Sequence, residues 1–422
     1  MSDRSALRHR DFRLLLFGQT TSQFGAQVSG VAIPLLAVLV LHASPFELGL
    51  VTAAGTVAFA LIGLPAGAWV DRWPRRPVLV AADLSRAVLL AAIVVAALVG
   101  WLNVWLLIVV SLLTGFARVF FDVGYQSYLP FVVGPRELLA GNSAMETVRA
   151  TGQVAGPGIG GWLVAVAGAV PVVVIQAVTY AVSAGSLLAI SAREPARPAP
   201  AVRPRLRADI GEGLALVART PVLRATAVTS AASNFAFAVA SAVTVPFMVH
   251  TVGLSPAGIG IVMALGSLTV VAGAAATPRL ARRLGSARIV WLSLAVTGPV
   301  GLLGPLARPG WPVVLLVVGA AAGELGQIVY AISNVSLRQR LCPGHLLGRV
   351  NATMRFVMMG IFPLGALLGG VAGQYAGLRP TLWLAGGIIA VAALPVRLAL
   401  RGTRDVEQLP QWMSSNTESS VD

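Results

Sequence analysis

The stretch Gly152-Gln-Val-Ala-Gly156-Pro157-Gly-Ile-Gly160-Gly161 lies inside an apolar run of helical length and places a glycine at every fourth position. Residues four apart share a helix face, so Gly152, Gly156 and Gly160 make a groove without side chains along which a second helix can approach backbone to backbone. Pro157 adds a kink. A methyl group at Gly156 is expected to fit such a contact and an isobutyl group is not.

The solvent for this helix is lipid. Of 422 residues 56% are hydrophobic and 11% charged, with a mean hydropathy of +0.81, whereas a soluble domain carries about 25% charged residues. The apolar runs are continuous and do not alternate, which points to membrane helices and away from a β-barrel. At about 20 residues per crossing the chain accommodates about a dozen of them. Arg8, Arg10 and Arg13 precede the first run, which is too long for a signal peptide and reads as a retained helix.

The net charge of +15 would suggest nucleic acid in a soluble protein, but here the arginines fall in alternate gaps between apolar runs. That is a topology signal and implies no nucleic-acid partner. All 31 basic residues are arginine, so a P-loop lysine and a Schiff-base lysine are both excluded. Cys342 stands alone, and His9, His42, His250 and His345 are too scattered to form a metal motif. With no G-x-S-x-G elbow and no H-E-x-x-H, the chain is read as a non-enzyme without metal or cofactor.

Twelve helices are expected, near 12–41, 45–70, 78–99, 104–125, 143–167, 170–190, 223–249, 256–277, 287–306, 311–335, 351–375 and 379–400. Ser44-Pro45-Phe46-Glu47 reads as a capping box that starts the second of them at Pro45. The Pro/Arg-rich segment after residue 190 is a linker, followed by an amphipathic helix with Leu206, Ile210, Leu214 and Val217 on one face. The domains are therefore a first bundle (1–190), a cytoplasmic linker with its helix (191–221), a second bundle (222–401) and a disordered tail (402–422). Inner gaps hold Arg72, Arg75, Arg76, Arg136, Arg279, Arg282, Arg283, Arg288, Arg338, Arg340 and Arg349, and outer gaps only Arg308 and Arg379. Both termini are thus assigned to the cytoplasm of a multi-pass cell-membrane protein.

The second half repeats the first. Adding 211 carries Gln23-Phe24 to Asn234-Phe235, Ser44-Pro45 to Ser255-Pro256, Gly49 to Gly260 and Gly55 to Gly266. Adding 209 carries Asn142 to Asn351, Met145 to Met354, Gly156 to Gly365, Gly160 to Gly369 and Gly161 to Gly370. The protein is a tandem duplication of a six-helix unit.

Two motifs carry a family resemblance. Gly152, Gly156, Pro157, Gly160 and Gly161 resemble the antiporter motif in the fifth helix of drug-exporting members of the major facilitator superfamily. Gly67-Ala-Trp-Val-Asp71-Arg72-Trp-Pro74-Arg75-Arg76 resembles the superfamily's loop motif between helices two and three, with Pro74 where glycine is usual. The stretch from Ser336 to Arg355, followed by Pro363-Leu-Gly365-Ala-Leu-Leu-Gly369-Gly370, is similar to the branch containing macrolide-efflux and enterobactin-exporter-like proteins. The resemblance implies an all-α integral membrane protein of twelve transmembrane helices in two pseudo-symmetric bundles. It also implies an antiporter that exports small hydrophobic molecules, such as antibiotics, in exchange for protons; a siderophore or other metabolite exporter and a non-transporting membrane sensor on the same frame are the alternatives, and a monomer is expected.

The candidate site residues follow from charge and polarity. Gln19, Gln23 and Gln27 share one face of the first helix, and a polar stripe in lipid faces an interior cavity; Asn234, Gln327 and Tyr330 are placed with them as substrate-cavity residues. Asp83 with Arg86, Arg118 with Asp122, and Glu146 with Arg149 are spaced one turn apart. Local neutralisation is one reading of these pairs. The other is a cytoplasmic gate of Gly67, Asp71, Arg72, Arg75, Arg76, Asp83, Arg86 and Arg118. Glu324 lies near the middle of the tenth helix, where burial disfavours an ionised carboxylate. It must face a cavity or bind a proton, so it is the proton-coupling candidate, with Asp122 in reserve.

Overall fold

The computed structural model describes residues 9–70, 72–134, 137–192, 206–342 and 344–409, and they form helices with no strand among them. The elements are α1 (Arg10–Leu35), α2 (Pro45–Val70), α3 (Arg75–Leu98), α4 (Val104–Val133), α5 (Leu138–Ala167), α6 (Ala169–Leu188), α7 (Leu206–Arg219), α8 (Pro221–Pro246), α9 (Pro256–Leu284), α10 (Arg288–Gly301), α11 (Val313–Leu341), α12 (Gly344–Tyr375), α13 (Leu378–Ala392) and α14 (Leu394–Ala399). Among the described residues eleven helices are long and apolar enough to cross a membrane. The exception among the long helices is α5, whose run is diluted by Glu146, Arg149, Gln153 and its glycines.

Local chemistry starts the helices where it should. At α2 the Glu47 carboxylate accepts from the Ser44 backbone N–H at 2.8 Å, and the Ser44 hydroxyl accepts from the Glu47 N–H at 3.2 Å. Asn103 caps α4 by accepting from the Leu106 N–H at 2.9 Å. α10 stops at Gly301 instead of 306 and α11 begins at Val313 instead of 311, but the larger departures are extensions. α4 reaches Val133 instead of 125, α9 reaches Leu284 instead of 277, α11 reaches Leu341 instead of 335, and α5 and α12 begin at Leu138 and Gly344. These extensions lie at the ends rich in arginine, where a helix continues beyond the hydrocarbon because its backbone bonds are internal; hydropathy marks only the part inside the lipid.

The duplication is visible in the packing. Helix α1 packs on α5 and α6 as α8 packs on α12 and α13, and α3 packs on α4 and α6 as α10 packs on α11 and α13. Both α1 and α8 end in a π-helical turn, Leu36–Val40 and Phe247–Thr251, closed by the Ala43 N–H on the Ala37 carbonyl and the Leu254 N–H on the Met248 carbonyl. All of these pairs differ by 211 residues. The turn that follows needs a left-handed residue, and the second half supplies Gly253 at φ 73° where the first supplies His42 at φ 50°. A side chain in this region costs about 1–2 kcal/mol, part of which glycine loses again through its freer unfolded state. His42→Gly is therefore expected to stabilise the protein by about 1 kcal/mol, read as a raised melting temperature in detergent.

The chain divides into two compact units, Met1–Pro204 with Met248–Ala264, and Arg205–Phe247 with Leu265–Asp422. Helix α7 forms as expected, but the face it buries differs. Gly213, Leu216 and Val217 are buried and Leu214 is exposed. The partner is a helix and not the lipid alone: Glu212 pairs with Arg349 of α12, and a Cβ on Gly213 would lie 2.9 Å from the Arg349 carbonyl oxygen. The expected disordered tail is also corrected at its start. Asp405 accepts from the Ser286 N–H at 2.9 Å, and the Arg404 carbonyl accepts from Ala287 and Arg288 at 3.1 and 3.2 Å, so this segment caps α10. Residues 410–422 and the linker at 193–205 lie outside the described residues.

Candidate functional site

The glycine groove of α5 is occupied by α1. A Cβ on Gly160 would overlap the Val28 carbonyl and stand 3.1 Å from Val28 Cα, and one on Gly156 would stand 3.3 Å from Gln27 Cα while overlapping Gln27 Cβ. The methyl group expected to fit at Gly156 therefore does not, because the helices touch through backbone. The same contact recurs in the second unit. A Cβ on Gly365 would lie 2.6 Å from the Phe235 oxygen, and one on Gly369 2.8 Å from Val239 Cα. Gly152 is looser, with Gln27 Cγ at 3.6 Å. Gly161 looks elsewhere within its unit, at Gly260 of α9, whose Cα is 2.7 Å from where a Cβ would be; Gly260 in turn approaches the Pro157 oxygen. Pro157 sets α5 apart from α12, which has Ala366 at the duplicated position.

Glu324 sits near the middle of α11 and is half-buried. Gly266 of α9 lies beside it, where an added Cβ would be 3.9 Å from Glu324 Cγ, and one turn away the Thr269 hydroxyl donates to the Ala321 carbonyl at 3.0 Å. Glycine at 266 leaves room next to the carboxyl. Among the described residues the carboxylate has neither an ion-pair partner nor a hydrogen-bond donor.

The three charge pairs separate by environment. Asp83 and Arg86 pair inside the first unit, 0% and 5% exposed, with the guanidinium held 4.3 Å from both the Phe121 and Tyr180 ring centres. The pair is enclosed by α3, α4 and α6 with its guanidinium between two rings, so here it packs as part of the core of the first unit. Glu146, Arg149 and Gln153 form an exposed cluster on α5. Arg118 and Asp122 are 3.7 Å apart with side chains 66% and 32% exposed.

In the loop motif, Asp71 lies outside the described residues. Arg72 is exposed, while Arg76 reaches back to the end of α6 and donates to the Leu187 carbonyl at 2.9 Å and to the Leu188 carbonyl. Asp11 completes this junction by accepting from the Ser191 and Ala192 N–H groups at 3.1 and 2.8 Å. Arg76 thus binds carbonyls at the C-terminal end of α6. Arg75 is half-buried at the start of α3, and Gly67 has open space on its Cβ side.

The expected cavity residues also divide. Gln327 and Gln23 remain half-buried; the Asn234 amide donates to the Ser230 carbonyl of its own helix at 2.9 Å, and Gln19 is buried. Tyr330 does not line a cavity. It is 2% exposed and its hydroxyl donates to the Thr226 carbonyl at 3.0 Å, stands 2.7 Å from the Ser230 hydroxyl, and receives the Asn334 amide at 3.4 Å. This cluster was not found by sequence reasoning, because Ser230 and Asn334 are ordinary membrane-helix residues until α8 and α11 meet. The available signal was the spacing of Gln327, Tyr330, Asn334 and Arg338 on one face of α11.

Comparison with known proteins places this geometry. The family model of the Major Facilitator Superfamily matches residues 15–359 and 226–413. A protein of Mycolicibacterium fortuitum named multidrug efflux pump Tap is 30% identical over 377 residues, 87% of this chain and 90% of its own. Its namesake in Mycobacterium tuberculosis strain H37Rv is 29% identical over 421 residues, covering 94% and 95%. Among solved structures, a bacterial homologue of the iron transporter ferroportin aligns with a TM-score of 0.73 at 17% identity over 93% of this chain and 99% of that one. A bacterial homologue of the lysosomal transporter Spinster aligns at 0.71 and 15% identity over 92% and 96%. These likenesses show the fold, with its duplicated six-helix units, for which the sequence relatives supply the kinship: the chain belongs to the Major Facilitator Superfamily and is a multi-pass membrane transporter, not an enzyme.

Proposed function

We propose that this transporter exports small hydrophobic molecules, antibiotics among them, by alternating access coupled to inward proton movement, as a monomer with both termini in the cytoplasm. The observation that carries the coupling is Glu324, an acid at mid-helix without a base or donor among the described residues, since such a group gains and loses a proton as its access to water changes. The export of drugs is supported by relatives named multidrug efflux pumps that match along most of both chains. In this reading the loop from Asp71 to Arg76 is the cytoplasmic gate, Gln23, Asn234 and Gln327 contribute to the substrate path, and the α5 glycines hold the helices that move.

The test is uptake of a fluorescent hydrophobic dye into inverted vesicles with and without an imposed proton gradient. Accumulation is expected only with the gradient and should stop when an ionophore dissipates it. Gradient-independent equilibration alone would remove the proton from the proposal, and no movement across a panel of drugs and siderophores would remove export.

A further inference from the structure

Glu324, Gln327, Tyr330, Asn334 and Arg338 follow one another at steps of three or four residues along α11 and therefore share a face. At 1.5 Å per residue this stripe is roughly 21 Å long, from the middle of the helix to its arginine-rich end. The Ser230, Tyr330 and Asn334 cluster lies on it, closed by hydrogen bonds of 2.7, 3.0 and 3.3 Å. Beside that cluster are Ser233 Oγ, Ser333 Oγ, Asn334 Oδ1 and Arg338 Nε, each enclosed and without a hydrogen-bond partner among the described residues. Ser233, Ser333 and Asn334 are 2%, 6% and 4% exposed.

Enclosed polar atoms in proteins are satisfied by protein groups or by ordered water, and a water needs two to four polar partners. Here the unpartnered Ser233, Ser333 and Asn334 atoms belong to residues within about one turn of a bonded hydroxyl pair, on two helices that the Tyr330 side chain joins, and Arg338 lies one turn beyond Asn334. Past the arginines of their first turns, Arg224 and Arg288, α8 and α10 carry no titratable residue. The other elements packed on α11 carry their charges towards its arginine-rich end: Arg279, Arg282 and Arg283 late in α9, Arg349 and Arg355 early in α12, and Glu407 in the 406–408 turn.

We propose that this face of the second unit is a hydrated proton path between Glu324 and the end of α11, in which Ser233, Ser333 and Asn334 hold water and the Tyr330 and Ser230 hydroxyls relay the proton. The inference rests on the reading of Glu324 as the proton carrier. At each step a hydroxyl or water accepts one proton and releases its own to the next oxygen, so the path is chemically unchanged after each passage.

The double variant Ser233→Ala with Ser333→Ala separates a path from packing, because neither hydroxyl makes a hydrogen bond to another described residue. It is expected to melt no lower than the parent and to exchange dye normally without a gradient, while proton-driven accumulation slows several-fold. Tyr330→Phe, which keeps the ring, should slow it further. Proton-driven transport at the parent rate in the double variant would overturn the path, and so would an equal slowing of gradient-free exchange. Glu324→Gln is assayed in parallel. Full proton-driven transport in that variant overturns the reading beneath the path, whereas loss of coupling there with normal serine variants overturns the path alone.

Discussion

Glu324→Gln is expected to bind substrate as the parent does and to lose gradient-driven accumulation, retaining only downhill exchange. Glutamine reproduces the protonated carboxylic acid at nearly constant shape, so contacts made by the neutral form survive while the proton-carrying function does not. The surroundings favour this outcome: Gly266 leaves space beside the side chain, and among the described residues no arginine holds the carboxylate ionised. Asp122 differs on this point, since Arg118 stands 3.7 Å away. Binding by fluorescence quenching and transport in proteoliposomes should be measured on one preparation. Full coupling in the variant would move the proton site to Asp122 or Glu146, and loss of binding as well would make Glu324 a substrate ligand.

The second large effect is expected at Gly160, where leucine should abolish the folded first unit. An added Cβ alone would stand 3.0 Å from the Val28 carbonyl carbon and closer still to its oxygen, and both belong to backbone that cannot rotate away. Adding even single methylene groups to a close contact costs about 1–3 kcal/mol, and an isobutyl group has to separate α1 from α5 along their length. Gly369→Leu should fail equally, because the duplicated contact puts Val239 in the place of Val28. Gly152→Ala and Gly67→Ala serve as controls: the first meets its nearest neighbour at 3.6 Å and the second meets nothing within 4 Å. The readout is the yield of monodisperse protein in detergent and its melting temperature. A Gly160→Leu protein as stable as Gly152→Ala would mean that α1 and α5 do not touch there.

Because this contact is duplicated, the glycine groove by itself is a packing device of both halves. Pro157 is what α5 has beyond it, with Ala366 at the duplicated position, and an antiport-specific role has to rest on that residue.

The membrane class, the number of helices, the tandem repeat and the start of α2 were all legible in the residues, since each depends on order along the chain: hydropathy over a window, a repeat at 211 or 209, a serine three residues before a glutamate. Helix ends were legible only where a cap or a glycine marks them. At the arginine-rich ends the helices run on past the lipid, and hydropathy carries no signal there.

Whether a polar side chain serves a site or a neighbour is decided by residues far away in sequence. Tyr330 is taken up by Thr226 and Ser230, about a hundred positions earlier, Arg76 by the Leu187 and Leu188 carbonyls, and Arg86 by the Phe121 and Tyr180 rings. Glu324 is the reverse case: its identity and its place at mid-helix mark it in one dimension, while only the packing of α9 against α11 reveals the space left at Gly266. The sequence states which groups are costly in lipid. Tertiary structure states which of them have been paired, because a hydrogen bond requires a partner within about 3 Å and proximity between helices is not written along either one.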